Sequence, residues 1–198
     1  MTFPATEVDR TLRRMLARAF ERDPIAAYVL PDESTRLARL ERVYRIYLNV
    51  FTTLGMVVTA DTLNAAALWL PPRRYPLSAL QNLRLLPAIV CTFGRQSARA
   101  LTVMSALESA APPRGNYWYL GVLGVDPPRQ GRGIGTKLLE RELAVCDETG
   151  AGAYLEAASD ANLAFYERHG FGIRTELSLR DGPRVWTMWR DPRKHASA

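Results

Sequence analysis

Histidine and cysteine are scarce in this chain of 198 residues, with two of each. Cys91 and Cys146 lie far apart, form no CxxC pair, and with only His169 and His195 beside them give no metal-ligand spacing. Neither a zinc site nor a disulfide framework is expected, and both cysteines read as small apolar core residues. Long apolar runs are missing as well. The most apolar stretch, Leu83 to Phe93, is interrupted by Arg84 and Pro87 and is too short to cross a bilayer. Met1 to Arg22 is charged throughout and lacks the apolar segment of a secretory leader. These absences point to a cytoplasmic protein with no metal and no membrane partner. Lysine is nearly absent too: 24 of the 26 basic residues are arginine, set against 20 acidic residues for a net charge of +6. Such an excess suits an anionic partner, whether nucleic acid, a membrane surface or a phosphorylated ligand, and composition does not choose among them.

What is present is an ordinary globular composition, 47% hydrophobic and 23% charged, which excludes a disordered or collagen-like chain. Apolar spacing predicts a first helix over Thr6 to Arg22, stopped by Pro24, and a second from an N-cap at Ser34 to a C′ glycine at Gly55. Met56 to Thr59 and Ala65 to Leu70 read as a hairpin around Asp61 to Asn64. Residues 73–113 carry leucines at helical spacing, with Pro87 expected to kink or divide the run. A strand over Asn116 to Val125, a helix over Gly131 to Thr149, a strand over Ala153 to Ala157 and a short helix over Ala161 to His169 follow. A last antiparallel pair spans Phe171 to Leu179 and Val185 to Trp189, and a frayed tail follows Asp191. The pattern is that of a single α/β domain over residues 1–198, with 73–113 a helical insertion and 191–198 a flexible tail.

The strongest chemical signal is the turn Asp126-Pro127-Pro128-Arg129-Gln130-Gly131-Arg132-Gly133-Ile134-Gly135-Thr136 between a strand and a helix. The prolines end the strand, because proline cannot donate to a ladder. The glycines let backbone approach a ligand without a Cβ in the way. The amides that open the following helix have no intrahelical acceptors and sit at the positive end of its dipole, a ready cradle for phosphate, with Arg129 and Arg132 adding charge. It is neither a dinucleotide fingerprint nor a P-loop: Thr136 and Leu138 stand where G-x-G-x-x-G would need glycine, and Lys137 follows Thr136 where G-K-[ST] is required. Downstream, Asn162 and Tyr166 lie four apart and share one helix face.

Taken together, Gln130-x-x-Gly133-x-Gly135 and the run Asn162…Phe165-Tyr166-Glu167…Gly170-Phe171 resemble the two cofactor motifs of the GNAT superfamily of acetyl-coenzyme A-dependent N-acetyltransferases. The resemblance covers mainly residues 116 to 190. Traces such as Tyr117-Trp118-Tyr119-Leu120 and Gly182-Pro183-Arg184-Val185-Trp186-Thr187-Met188 extend it toward the puromycin N-acetyltransferase branch. It implies an α/β fold of the α+β, GNAT-like kind: a central mixed, mostly antiparallel sheet with two splayed parallel central strands, flanked by helices. It implies acetyl-coenzyme A as cofactor, its pantetheine arm lying along Leu123, Gly124 and Val125. The phosphates would fall at Arg129, Gln130, Gly131, Arg132, Gly133, Ile134, Gly135 and Thr136, with further contacts from Asn162, Phe165 and Tyr166. Tyr166 is implied as the acid that protonates the leaving thiolate.

Many family members carry a glutamate on the strand before the glycine turn, yet Tyr117 to Val125 has no acid. Glu156, which strand alternation places on one face with Tyr154, is the substitute base, alongside a water chain or an amine of low pKa. Only Met1 to Ala5 precede the first helix, so the strand with which such chains usually begin is expected to be vestigial or absent. Asp23, Tyr28, Trp118 and Tyr119 are the candidates for the acceptor pocket, together with the first helix and the 73–113 insertion. Aromatics with few charges suit a small-molecule amine. The expected function is acetyl transfer to a primary amine of a small molecule, possible antibiotics among them, by direct attack in a ternary complex. The alternatives are transfer to a protein lysine or N-terminus, and a non-catalytic acyl-coenzyme A sensor or nucleic-acid module. Scattered arginines and the lack of a recognised nucleic-acid motif speak against nucleic acid as a partner. The chain would be a monomer or a homodimer that uses the 73–113 helices as its face.

Overall fold

Residues 5–193 are described by the computed structural model. The expected remnant of a first strand falls on residues 1–4, outside the described residues, apart from Ala5, which begins the first helix. His195 lies outside them too. Seven α-helices and six strands follow one another among the described residues. Three helices come first, α1 (Ala5–Ala19), α2 (Pro24–Val29) and α3 (Glu33–Leu54). The hairpin β1 (Met56–Thr59) and β2 (Ala65–Leu70) leads to α4 (Ala79–Phe93) and α5 (Ser97–Ala110). Then come β3 (Tyr117–Val125), α6 (Ile134–Thr149), β4 (Gly152–Ala157), α7 (Asp160–Glu167), β5 (Gly172–Ser178) and β6 (Arg184–Arg190). Among the described residues no helix is long and apolar enough to cross a membrane.

The six strands form one sheet in the order β1-β2-β3-β4-β6-β5, in which only β3 and β4 run parallel. A parallel pair needs a crossover, and α6 supplies it. Pairing between β3 and β4 runs from Tyr117↔Gly152 to Leu120↔Leu155 and stops there, while β3 continues to Val125 against β2 alone. The two central strands therefore separate, as expected. At the point of separation Gly121 is the extra residue of a bulge: Leu68 pairs with Val122, but Trp69 pairs with Leu120. A Cβ on Gly121 would collide with the ring of Phe51.

Strand alternation divides the core into two layers. In β2, Ala66, Leu68 and Leu70 join the layer under α1, α3, α4 and α5, while Ala65, Ala67 and Trp69 join the layer under α6 and α7. In β4, Tyr154 falls in the first layer and Leu155 in the second. Side chains such as Leu16 and Leu139 are wholly buried, each contributing about 1.5–3 kcal/mol of transfer free energy. At the closed end of the sheet Arg190, 3% exposed, donates to both carboxylate oxygens of Asp147 at 2.8 and 2.7 Å and to the His169 carbonyl at 3.1 Å. This ties β6 to the ends of α6 and α7, and the guanidinium holds the Asp147 carboxyl below its usual range.

Several local expectations are corrected. Pro24 does not merely stop a helix; it is the first residue of α2, with Asp23 as N-cap accepting from the Ile25 and Ala26 amides at 2.9 and 3.1 Å. The N-cap of α3 is Asp32, not Ser34. Gly55 closes α3 at φ −150°, so it is not a left-handed C′ glycine; a Cβ there would strike the Trp69 carbonyl. Pro87 lies inside α4 without dividing it, and the break between α4 and α5 comes at Gly94, at φ 52°. Cys91 is exposed, whereas Cys146 is in the core.

Candidate active site

The gap between β3 and β4 opens into a cavity of about 700 Å³ that reaches from the glycine turn to the inner faces of α3, α4 and α5. At one end stand Arg129, Gln130, Gly131 and Gly133 to Thr136, with Asn162, Phe165, Tyr166 and Arg168 from α7. Gly131 and Gly133 have φ of 73° and 75°, a left-handed backbone that glycine adopts without strain, and the space where their side chains would be is open. Gly133 is the N-cap of α6 and makes no side-chain cap hydrogen bond, and the first helical bond runs from the Lys137 amide to the Gly133 carbonyl. The amides before Lys137 thus face outward for an anion. Arg129 and Arg168 make no ion pair among the described residues. Beyond Leu120, β3 has no strand on its β4 side, which leaves backbone groups of residues 121–125 for an extended arm, in the manner of an added strand, although the Val125 carbonyl accepts from Gln130 Nε2 at 3.0 Å. An open turn, unspent amides, unpaired arginines and a free strand edge fit a nucleotide-linked pantetheine such as coenzyme A.

The other end is aromatic. Glu156 projects from β4 into a group of tyrosines. Tyr75 donates to its Oε1 at 3.1 Å, the Tyr119 hydroxyl also stabilises the charged form, and the Tyr154 hydroxyl acts on it from outside hydrogen-bond geometry. Tyr75 is held in place by stacking on Tyr119, with ring centroids 3.6 Å apart, and by the Tyr117 hydroxyl, which donates to its carbonyl at 2.9 Å. Burial outweighs these donors and pushes the Glu156 carboxyl up to about 7. Such a carboxyl can gain or lose a proton near neutral pH. Tyr166, on α7, is packed edge-on against Phe165 and Phe171 and lines the same cavity. Burial, reinforced by the Asp23 charge, raises its pKa and keeps the phenol protonated. Its hydroxyl makes no hydrogen bond among the described residues.

Of the residues expected at the cofactor end, Leu123, Val125, Arg129, Gln130, Gly131, Gly133, Ile134, Gly135, Thr136, Asn162, Phe165 and Tyr166 line the cavity. Gly124 does not: it turns toward α1, where a Cβ would come within 2.6 Å of Leu16, and pairs with Ala66. Arg132 also lies outside the lining. Asn162 is not the cap of α7; Ser159 is, accepting from the Asn162 amide at 3.3 Å. At the acceptor end Tyr119 and Asp23 line the cavity, Asp23 with its carboxylate engaged as the α2 cap. Tyr28 is directed elsewhere, donating to the Arg180 carbonyl at 2.6 Å with Arg99 over its ring. Trp118 packs in the opposite core layer, because alternation from Tyr117 and Tyr119 turns it away. Tyr44, Tyr47 and Arg168 escaped the sequence reading, and Tyr75 and Glu108 fell within the 73–113 stretch assigned to the pocket without being singled out. Only Arg168 carried a local signal, its place in the run from Asn162 to Phe171.

A family model described as "Acetyltransferase (GNAT) family" matches residues 62–171. An uncharacterized N-acetyltransferase of Schizosaccharomyces pombe is 36% identical over 84 residues, 41% of this chain and 34% of that protein. N-alpha-acetyltransferase RimI of Mycobacterium tuberculosis is 45% identical over 74 residues, 35% of this chain and 46% of that protein. The chain thus spans between a third and a half of the length of these curated relatives. A solved structure from Corynebacterium glutamicum, described as histone acetyltransferase HPA2 and related acetyltransferase, superposes with a TM-score of 0.69. It covers 99% of this chain and 97% of that one at 21% identity, a likeness of fold.

Proposed function

Because the chain belongs to the acetyltransferase (GNAT) family, we propose that it moves an acetyl group from acetyl-coenzyme A to a primary amine of a small molecule, by direct attack in a ternary complex. The observation that carries this reading is one continuous cavity lined by the anion cradle, by Tyr166 and by Glu156. When bound, acetyl-coenzyme A supplies a thioester carbonyl open to attack by nitrogen. The turn from Arg129 to Thr136 would hold its phosphates, and the free edge of β3 its arm. An acceptor ammonium must shed a proton before it can attack, and Glu156, half-ionised near pH 7, takes it. Tyr166 holds a proton that no acceptor among the described residues takes, available to the departing sulfur.

A deep cavity roofed by α4 and α5, with Leu85, Ile89, Met104 and Leu107 in its walls, suits a small amine with an apolar body. The puromycin-like traces of the sequence favour the same class. Transfer to a protein N-terminus is the second reading, favoured by the local identity to an N-alpha-acetyltransferase. Incubation with acetyl-coenzyme A and a panel of small amines and peptides should release free thiol with small amines. Tyr166→Phe should lower turnover about 10²-fold or more with little change in coenzyme A affinity. Thiol release with peptides alone would overturn the small-molecule reading, and full activity in the Phe variant would remove Tyr166 from the chemistry.

A further inference from the structure

Glu108 is a half-buried carboxylate on the cavity wall. It lies in the last turn of α5, where the negative end of the helix dipole disfavours a carboxylate. It faces a largely apolar part of the cavity, beside Met104 and Leu107, and has no cationic partner within ion-pair distance among the described residues. Its charge is felt across the cavity by Tyr47 on α3. Asn82, on α4, directs its amide nitrogen at both carboxylate oxygens, at 3.2 and 3.0 Å, and in doing so leaves its own Oδ1 buried without a donor. The bond ties α4 to α5, yet it pairs the carboxylate with a neutral group alone and leaves an acceptor orphaned. The two other acids of the lining are engaged: Asp23 caps α2, and Glu156 is held by tyrosines. The arginines of the lining, Arg129 and Arg168, stand at the glycine turn and on α7.

We propose that Glu108 receives a second basic nitrogen of the acceptor, so that the cavity selects amines with an apolar body, the reacting nitrogen toward Glu156 and a cation toward α5. This rests on the amine-acetylation reading above and narrows it to apolar diamines. A charge-assisted hydrogen bond from a substrate ammonium would replace the missing partner of Glu108. The alkyl or aromatic body would lie against Leu85, Ile89 and Met104.

The test compares alkane diamines with monoamines of equal length, from butyl to dodecyl, and para-xylylenediamine with benzylamine. Wild-type protein should show a KM about tenfold lower for the best diamine than for its monoamine. Glu108→Gln should bring that ratio close to one, and Glu108→Asp should keep part of it. Coenzyme A binding serves as the folding control for each variant. Equal KM values in the wild type, or a diamine preference that survives in Glu108→Gln, would overturn the proposal. If no amine is acetylated, the catalytic reading fails by itself, and calorimetric binding then decides the role of Glu108. Tighter diamine binding to wild type than to Glu108→Gln supports it, and equal binding refutes it.

Discussion

Glu156 sets function against stability at a single side chain. Its carboxyl has a folded pKa of about 7 against an ordinary value of 4.5. A carboxyl raised on folding binds more protons in the native state between those values, so stability rises as pH falls from above 7 toward 4.5. Above pH 7 the charged form costs up to about 3 kcal/mol, since each pKa unit is worth about 1.4 kcal/mol. Glu156→Gln removes that cost. The variant should melt several degrees above wild type at pH 8, with the difference closing by pH 5. It should also lose the rise of kcat/KM through pH 7 that a carboxylate base predicts. An unchanged pH–rate limb in the Gln variant would assign the base elsewhere, to a water chain or to the amine itself.

Legibility differed from element to element, for reasons that are local. The hairpin β1–β2 could be read because two short apolar runs flank a cluster of turn residues. The glycine turn could be read because its chemistry is backbone chemistry written in consecutive residues. Pro87 does not divide α4, because its missing amide matters less where the helix face is open to water, and Pro87 is exposed there. Asp23-Pro24 could be read as a stop or as a start, and the Asp23 cap decides for a start. Tyr75 was illegible, since it meets Glu156 across 81 residues of chain and stands in a loop without periodicity. Gly121 was equally silent: a glycine within a strand announces neither the bulge nor the Phe51 ring that fills its side-chain space. Gly121→Ala should force α3 off the sheet and cost about 1–3 kcal/mol. Urea melts would show it as a lower midpoint, and a neutral result would mean that Phe51 can rotate away.

At the scale of the whole molecule, the arginine excess resolves into places. Arg190 is buried in an ion pair, Arg129 and Arg168 line one end of the cavity, and others, such as Arg42 and Arg45 on α3, coat the surface. The parting of β3 from β4 has a consequence of its own. A strand in the middle of a six-stranded sheet has, over residues 121–125, the hydrogen-bonding condition of a border strand. Its amides on that side are unprotected, so solvent deuterons should enter residues 121–125 sooner than residues 117–120 in the ligand-free protein. Coenzyme A should slow that uptake while leaving β5 and β6 unchanged. Exchange at 121–125 that ignores the ligand would show that its arm runs along another path. Where coenzyme A does slow the uptake, the molecule completes its sheet only when occupied, and a deuterium clock reads occupancy without any turnover.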